Sequence, residues 1–508
     1  MRNVATRTAA GALLALLPLL GLGGCATSGG EADEGEPVYV GEQSTDEADA
    51  DAAKDDAEET PAADEGEPPL AVAESERPVD SRPPEAEELA EVVVQARTRG
   101  RDEMIRDLVA EAKTLLRGVD LKYVFTGKGR RETMRGRPVA FALWSESTRQ
   151  WTVAHVEIPR PPVKWRPGGR PLKFTLLTPG LTARHVKGTG AERLMFAFAS
   201  KQGEALKVYG RKFPVFDDRL IKRKRWRDAA ASAQPIVYLP FTQDTLDPRF
   251  ISGGREYLMS TARKALEELR NARVYSTAFP GELLADAVPA EVITTLAVIE
   301  QTDDGDYTED REQAVNEVLS QYGLKREEAY RYSVSRAKAI GPMQFTNRRG
   351  NGTYSLVVRR CPGARIDPNF ERGATNLQNA MKAAICLFDI ELAQMAPEIR
   401  LAYRENKKVL GIFPVAAYNG GPRNVGKLYK VIQRMQLRLE DLRPPGEQSE
   451  EYPVSCPCLW TEGVAGVRPV SIPRYNNENR WYLEKYQSIL GVFEDEPGTE
   501  GSPLGLSR

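Results

Sequence analysis

Apolar and polar positions change period twice along this chain. From Glu91 to Leu115 apolar residues recur at three-to-four spacing, which predicts a helix over about 91–118. From about 119 to 245 the pattern becomes short runs rich in Val, Phe, Trp, Thr and Tyr, at 139–144, 151–158, 174–177 and 195–198. Pro167-Gly168-Gly169 and Pro179-Gly180 punctuate them, so the stretch reads as β-rich. Helical periodicity returns near Gly254, with Leu258, Ala262, Ala265, Leu266 and Leu269 on one stripe. Val288-Pro289-Ala290-Glu291 opens another helix, with Pro289 suited to its first turn, and that helix runs apolar to Glu300. More helices are expected at about 310–321, 371–397, 411–418 and 422–437. Gly420-Gly421 precedes the last one and lets backbone approach a ligand closely.

The ends are not part of this pattern. Arg2 and Arg7 precede an apolar stretch from Ala9 to Leu22, then Leu22-Gly23-Gly24-Cys25. That stretch falls short of the roughly 20 apolar residues that span a bilayer, so 1–24 reads as a signal peptide. The junction resembles a bacterial lipobox, which implies lipidation of Cys25 and a membrane anchor there. With Ala26 rather than Asp next, the resemblance implies the outer membrane, facing the periplasm. Residues 31–90 hold 22 Asp/Glu against three Lys/Arg, so 25–90 reads as an anchor followed by a disordered acidic tether. Its random-coil reach is on the order of 40 Å. The domains that follow are 91–245, helix plus β-rich accessory; 246–445, helical and catalytic; 446–490, a Cys-containing extension and helix. Residues 491–508 form a Gly/Pro/Ser-rich tail.

That tether makes the formal net charge of −2 misleading. Of 70 Lys/Arg and 72 Asp/Glu, the rest of the chain keeps 67 and 50, a net +17. The run Lys222-Arg223-Lys224-Arg225 is its densest cluster. An exported protein seldom meets nucleic acid, so anionic wall peptides or lipid headgroups are the expected partners, with a plain solvated surface as the simpler reading. With Cys25 set aside, Cys361, Cys386, Cys456 and Cys458 remain in an oxidising compartment. Sequence does not decide their pairing; Cys456 and Cys458 are too close to bond each other readily, which favours Cys361 with Cys386. Only His155 and His185 exist, neither near the cysteines, so no zinc site is expected, nor a hydrolase with a histidine base. No cofactor is expected.

Glu300 ends the apolar helix. Partial burial there would favour the protonated carboxyl that a general acid needs. By itself it reads more simply as a surface acid at a helix end. About 35 residues later comes Ser335-Arg336-Ala337-Lys338-Ala339-Ile340-Gly341-Pro342-Met343-Gln344, and about 70 beyond that Ala417-Tyr418-Asn419-Gly420-Gly421. These three segments, in this order over some 150 residues, resemble the lytic transglycosylases with a soluble-lytic-transglycosylase type of domain, relatives of goose-type lysozyme. The resemblance implies a mostly helical, lysozyme-like catalytic domain behind the β-rich one, acting on peptidoglycan glycan strands. It implies Glu300 as acid/base, cleaving MurNAc–GlcNAc bonds to 1,6-anhydro ends without metal. It also implies that Ser335, Gly341, Met343, Gln344, Tyr418 and Asn419 bind substrate or position the acid.

The chain departs from that pattern in three places. Lys338 replaces a Gly, Gln301-Thr302 follows the acid where the family has Ser, and residues 301–334 form an insertion that could be a lid or extra helix. Within it, Asp303, Asp304 and Asp306 suggest a second catalytic carboxylate or a calcium loop, but lack the full twelve-residue calcium spacing; a solvated turn is the simpler reading. A water-using muramidase on the same fold and a non-catalytic wall-binding lipoprotein stay open beside the transglycosylase.

Overall fold

The computed structural model describes residues 100–493, except 162–169, 191–192, 240, 336, 348–349, 444–457, 464–465 and 472–476. The signal peptide, Cys25, the acidic tether, Cys456 and the tail beyond Phe493 lie outside the described residues; the first three residues assigned to that tail, Gly491–Phe493, instead form a short 3-10 turn that buries Val492 and Phe493 in the helical core. The architecture is mixed, with a β-rich region preceding a helical one. Among the described residues, no helix is long and apolar enough to cross a membrane.

A short hairpin, β1 (Phe125–Thr126) with β2 (Thr133–Met134), leads into an antiparallel seven-stranded sheet. Its strands are β3 (Arg137–Ser145), β4 (Gln150–Ile158), β5 (Thr175–Leu176), β6 (Leu181–Lys187), β7 (Met195–Ser200), β8 (Ala205–Val215) and β9 (Gln234–Tyr238). They lie in the order β5-β4-β3-β8-β7-β6, with β9 also paired to β8. Val139, Phe141 and Leu143 of β3 face a core with Val156, Phe196, Phe198 and Phe213. Ala140 and Ala142 on the other face meet Ile105, Val109, Ala112 and Leu116 of the helix Arg101–Arg117. A strand covered on both faces needs no polar alternation, which is why 139–144 is apolar throughout. The helix sits close: a Cβ at Gly210 would come within 3.1 Å of Leu116.

The helical region begins with Pro248–Asn271, capped by the Asp247 carboxylate accepting from Arg249 N at 2.9 Å. The insertion after Glu300 is no lid. It folds as Asp304–Glu309 and Arg311–Lys325, and the longer helix crosses Pro248–Asn271 backbone to backbone. Gly254 and Gly323 make that crossing possible, because a Cβ on either would collide with the carbonyl of Leu319 or Phe250 respectively. Leu319 and Tyr322 are fully buried there, so the segment is core.

Other boundaries moved for local reasons. Pro289 is the N-cap of Ala290–Ile299, not its first residue. The helix expected at 371–397 divides at Asn376, whose side chain caps Leu377–Ala393 by accepting from Asn379 N at 2.9 Å. Thr353–Arg360 and Pro397–Glu405 are helices without a sequence-level expectation. A disulfide joins Cys361 to Cys386, with Cα atoms 6.2 Å apart. Beyond 440 the strands β10 (Leu442–Arg443), β11 (Cys458–Gly463) and β12 (Gly466–Ser471) form a small sheet. The helix Asn477–Leu490 then returns against Ala290–Ile299 and Ile412–Gly420. This last contact builds the site.

Candidate active site

Ala290–Ile299 is buried on every side from Val292 to Ile299, so the core fixes its axis and its end. Glu300 is the C-cap, its N–H donating to Leu296 O at 3.0 Å and its side chain half-buried. A buried helix thus delivers one carboxylate to a surface.

Tyr482, from Asn477–Leu490, donates its hydroxyl to Glu300 Oε1 at 2.5 Å. Burial pushes the Tyr482 phenol well above its ordinary value of 10, and the Glu300 charge and hydrogen bond push the same way. It therefore stays protonated, and a donor, at any physiological pH. Tyr418 is held neutral likewise, by burial first and the Glu300 charge second. Its hydroxyl donates to Met343 O at 2.7 Å, and its ring lies 6.0 Å from that of Phe345. Tyr482 had no signal in the sequence; it is 182 positions from Glu300, in an ordinary aromatic-rich helix.

The segment 333–345 folds into a tight hairpin, with bridges Val334 to Ile340 and Ile340 to Phe345. Gly341 has φ +77°, and a Cβ there would run into the Ala374 carbonyl, so only glycine fits. Gln301 secures this turn from the acid's side. Its Nε2 donates to Gly341 O at 3.2 Å and Pro342 O at 2.9 Å, and its Oε1 accepts from the Ser333 hydroxyl at 3.0 Å. Gln344 Nε2 closes the loop, donating to Gly341 O at 2.8 Å and Ser333 Oγ at 3.1 Å. Gln301 thus clamps the hairpin through a long amide side chain.

The expected site residues fall into two groups. Glu300, Gly341, Gln344 and Tyr418 converge through this network, while Asn419 is partly exposed with no side-chain hydrogen bond to any described residue. Met343 is fully buried and contributes its carbonyl; Ser335 Oγ accepts from Ala339 N at 3.1 Å inside the turn. Lys338 adopts φ +67°, the left-handed backbone that glycine favours, and pairs with Asp218 at 2.8 Å.

The acidic cluster is bound up in ion pairs. Asp303 pairs with Arg193 at 2.9 Å and caps the next helix, Asp304 with Lys485 at 2.5 Å, and Asp306 with Lys187 at 3.1 Å. Burial raises the Asp303 carboxyl, but Arg193, the Gly305 and Asp306 N–H groups and Lys187 outweigh it and hold the group below its usual range. Lys485, 2% exposed, also donates to Thr302 O at 2.7 Å, so it braces the backbone just after the acid. These carboxylates anchor the Glu300 loop to the sheet region and the last helix. Among the described residues no cluster could hold a metal ion.

No family model, curated protein or solved structure matches this chain. What the site can do follows from its side chains. One half-buried carboxylate, held by a neutral tyrosine and flanked by amide and carbonyl groups, can give and take a proton beside a polar ligand.

Proposed function

We propose that the protein is a peptidoglycan lytic transglycosylase with a lysozyme-like catalytic domain and Glu300 as its acid/base. The observation that carries this reading is the single carboxylate at the end of a buried helix, hydrogen-bonded by Tyr482 beside the Gly341–Gln344 turn. The three nearby aspartates support it too, because each is committed to an ion pair. A glycosidase with one working carboxylate needs the substrate's 2-acetamido group for the second role.

In this mechanism protonated Glu300 gives its proton to the glycosidic oxygen as the MurNAc C1–O bond breaks. The acetamido oxygen of the same sugar bonds C1 and holds the developing charge. Ionised Glu300 then takes the proton of the C6 hydroxyl, whose oxygen attacks C1 and displaces the acetamido oxygen. A 1,6-anhydro ring closes, Glu300 is protonated again, and no water is consumed. Tyr482 orients the carboxyl through Oε1, leaving Oε2 to move the proton. Asn419 and the Gly420-Gly421 backbone offer polar contacts to the sugar. Cys25 would carry the acyl anchor at the outer membrane, with the acidic tether giving reach into the wall.

Digestion of purified peptidoglycan tests this, with the products weighed by mass spectrometry. Anhydro-ended muropeptides are expected; reducing ends would indicate a muramidase, and no products a wall-binding protein. Glu300→Gln is expected to abolish cleavage while leaving the thermal transition within a few degrees, as the isosteric amide at a half-buried position can still accept from Tyr482. Full activity in that variant would remove Glu300 from the mechanism.

A further inference from the structure

The densest basic run is joined to the catalytic hairpin. Asp218–Lys222 and Trp226–Ala231 are two short helices linked through Lys224, whose φ of +57° turns the chain between them. Trp226 is buried beneath, with Arg160 over its ring at 5.3 Å, so the knot has a rigid base. The nearby acids are already engaged. Asp217 caps Arg219 N at 2.7 Å, Asp218 pairs with Lys338, and Asp228 with Arg225 at 2.6 Å. Arg227 is occupied by Glu132. Arg219, Lys222, Arg223 and Lys224 are all exposed, and none has an ion-pair partner among the described residues.

Four unneutralised cations on a fixed turn attract a polymer bearing repeated anionic groups, by a field that salt screens. The Lys338–Asp218 pair at 2.8 Å couples this turn to the hairpin whose Gly341 carbonyl accepts from Gln301, the residue after the acid. The basic turn and the segment after Glu300 are thus tied to the same hairpin. We propose that Arg219, Lys222, Arg223 and Lys224 form a docking surface for the free carboxylates of peptidoglycan stem peptides, making peptide-bearing strands the preferred substrate. The choice of polymer rests on the wall-cleaving reading above; the surface itself does not.

Binding tests the surface apart from catalysis. The full chain carrying Glu300→Gln is co-sedimented with purified sacculi, with and without Arg219→Gln, Lys222→Gln, Arg223→Gln and Lys224→Gln together. Exposed pairs contribute little each, so losing four should weaken binding roughly tenfold. Amidating the sacculus carboxylates should weaken the parent equally, a measurement that needs no substitution at the surface. Vesicles rich in anionic phospholipid form the second arm. Unchanged binding after amidation, or a loss seen only with vesicles, would overturn the proposal. A chain with Glu300 intact that releases no muropeptides, while both losses persist, would sink the enzymatic reading and leave the surface standing.

Discussion

Removing one oxygen tests how Glu300 is held. Tyr482→Phe keeps a ring that is only 7% exposed and deletes the hydroxyl that donates to Glu300 Oε1 at 2.5 Å. A hydrogen bond to a charged group is worth about 1.5–3 kcal/mol. If the carboxylate needs that donor to stay aimed at the glycosidic oxygen, kcat/KM falls by roughly 10- to 150-fold. Stability should fall by less than the worth of that bond, because Glu300 is only half-buried and its freed oxygen can accept from water instead. Timed release of muropeptides from sacculi, paired with a melting curve, separates the two effects. Cleavage within twofold of the parent would refute the positioning role. A collapse of the melting temperature would assign the hydroxyl to the fold.

Three other substitutions address the surroundings. Gly341→Ala should cost at least about 2 kcal/mol, from left-handed strain plus displacement of the Ala374 backbone, read by chemical denaturation; a neutral result would mean the hairpin is loose. Lys338→Gly removes similar strain but loses an ion pair whose partners are both more than half exposed, so a net gain of about 0.5–1 kcal/mol is expected, and a loss would show that the Asp218 tether outweighs the strain. Glu391, 7% exposed with Oε2 lacking a hydrogen-bond partner among the described residues, is raised by burial to about 7 from 4.5, with Arg360 opposing. The folded state keeps that proton while the unfolded chain releases it, so stability falls as pH rises from about 4.5 to 7, by up to about 3 kcal/mol. Glu391→Gln should flatten that slope in melts at pH 4.5 and 8; parallel curves would reject the assignment.

What the sequence alone determined was whatever local period and local sterics encode. The apolar stripe from Leu258 to Leu269, the β runs and the helix ending at Glu300 are such features. Each is set by neighbours within a few residues, as backbone geometry repeats every 3.6 or 2 positions. The division at Asn376 was less legible, because an Asn inside a helical pattern reads as interior until its side chain is seen capping.

Tertiary structure decided the rest. Residues 301–334 looked like an optional insertion until Gly254 and Gly323 let its helix cross Pro248–Asn271. Asp303, Asp304 and Asp306 suggested a metal loop or second acid until Arg193, Lys485 and Lys187 came in from distant segments. Tyr482 and Gln301 gained their roles in the same way. Charge neutralisation and hydrogen bonding depend on three-dimensional proximity, and no periodicity records which remote cation or hydroxyl will arrive. The chain itself specified where the acid sits; only packing specified what holds it.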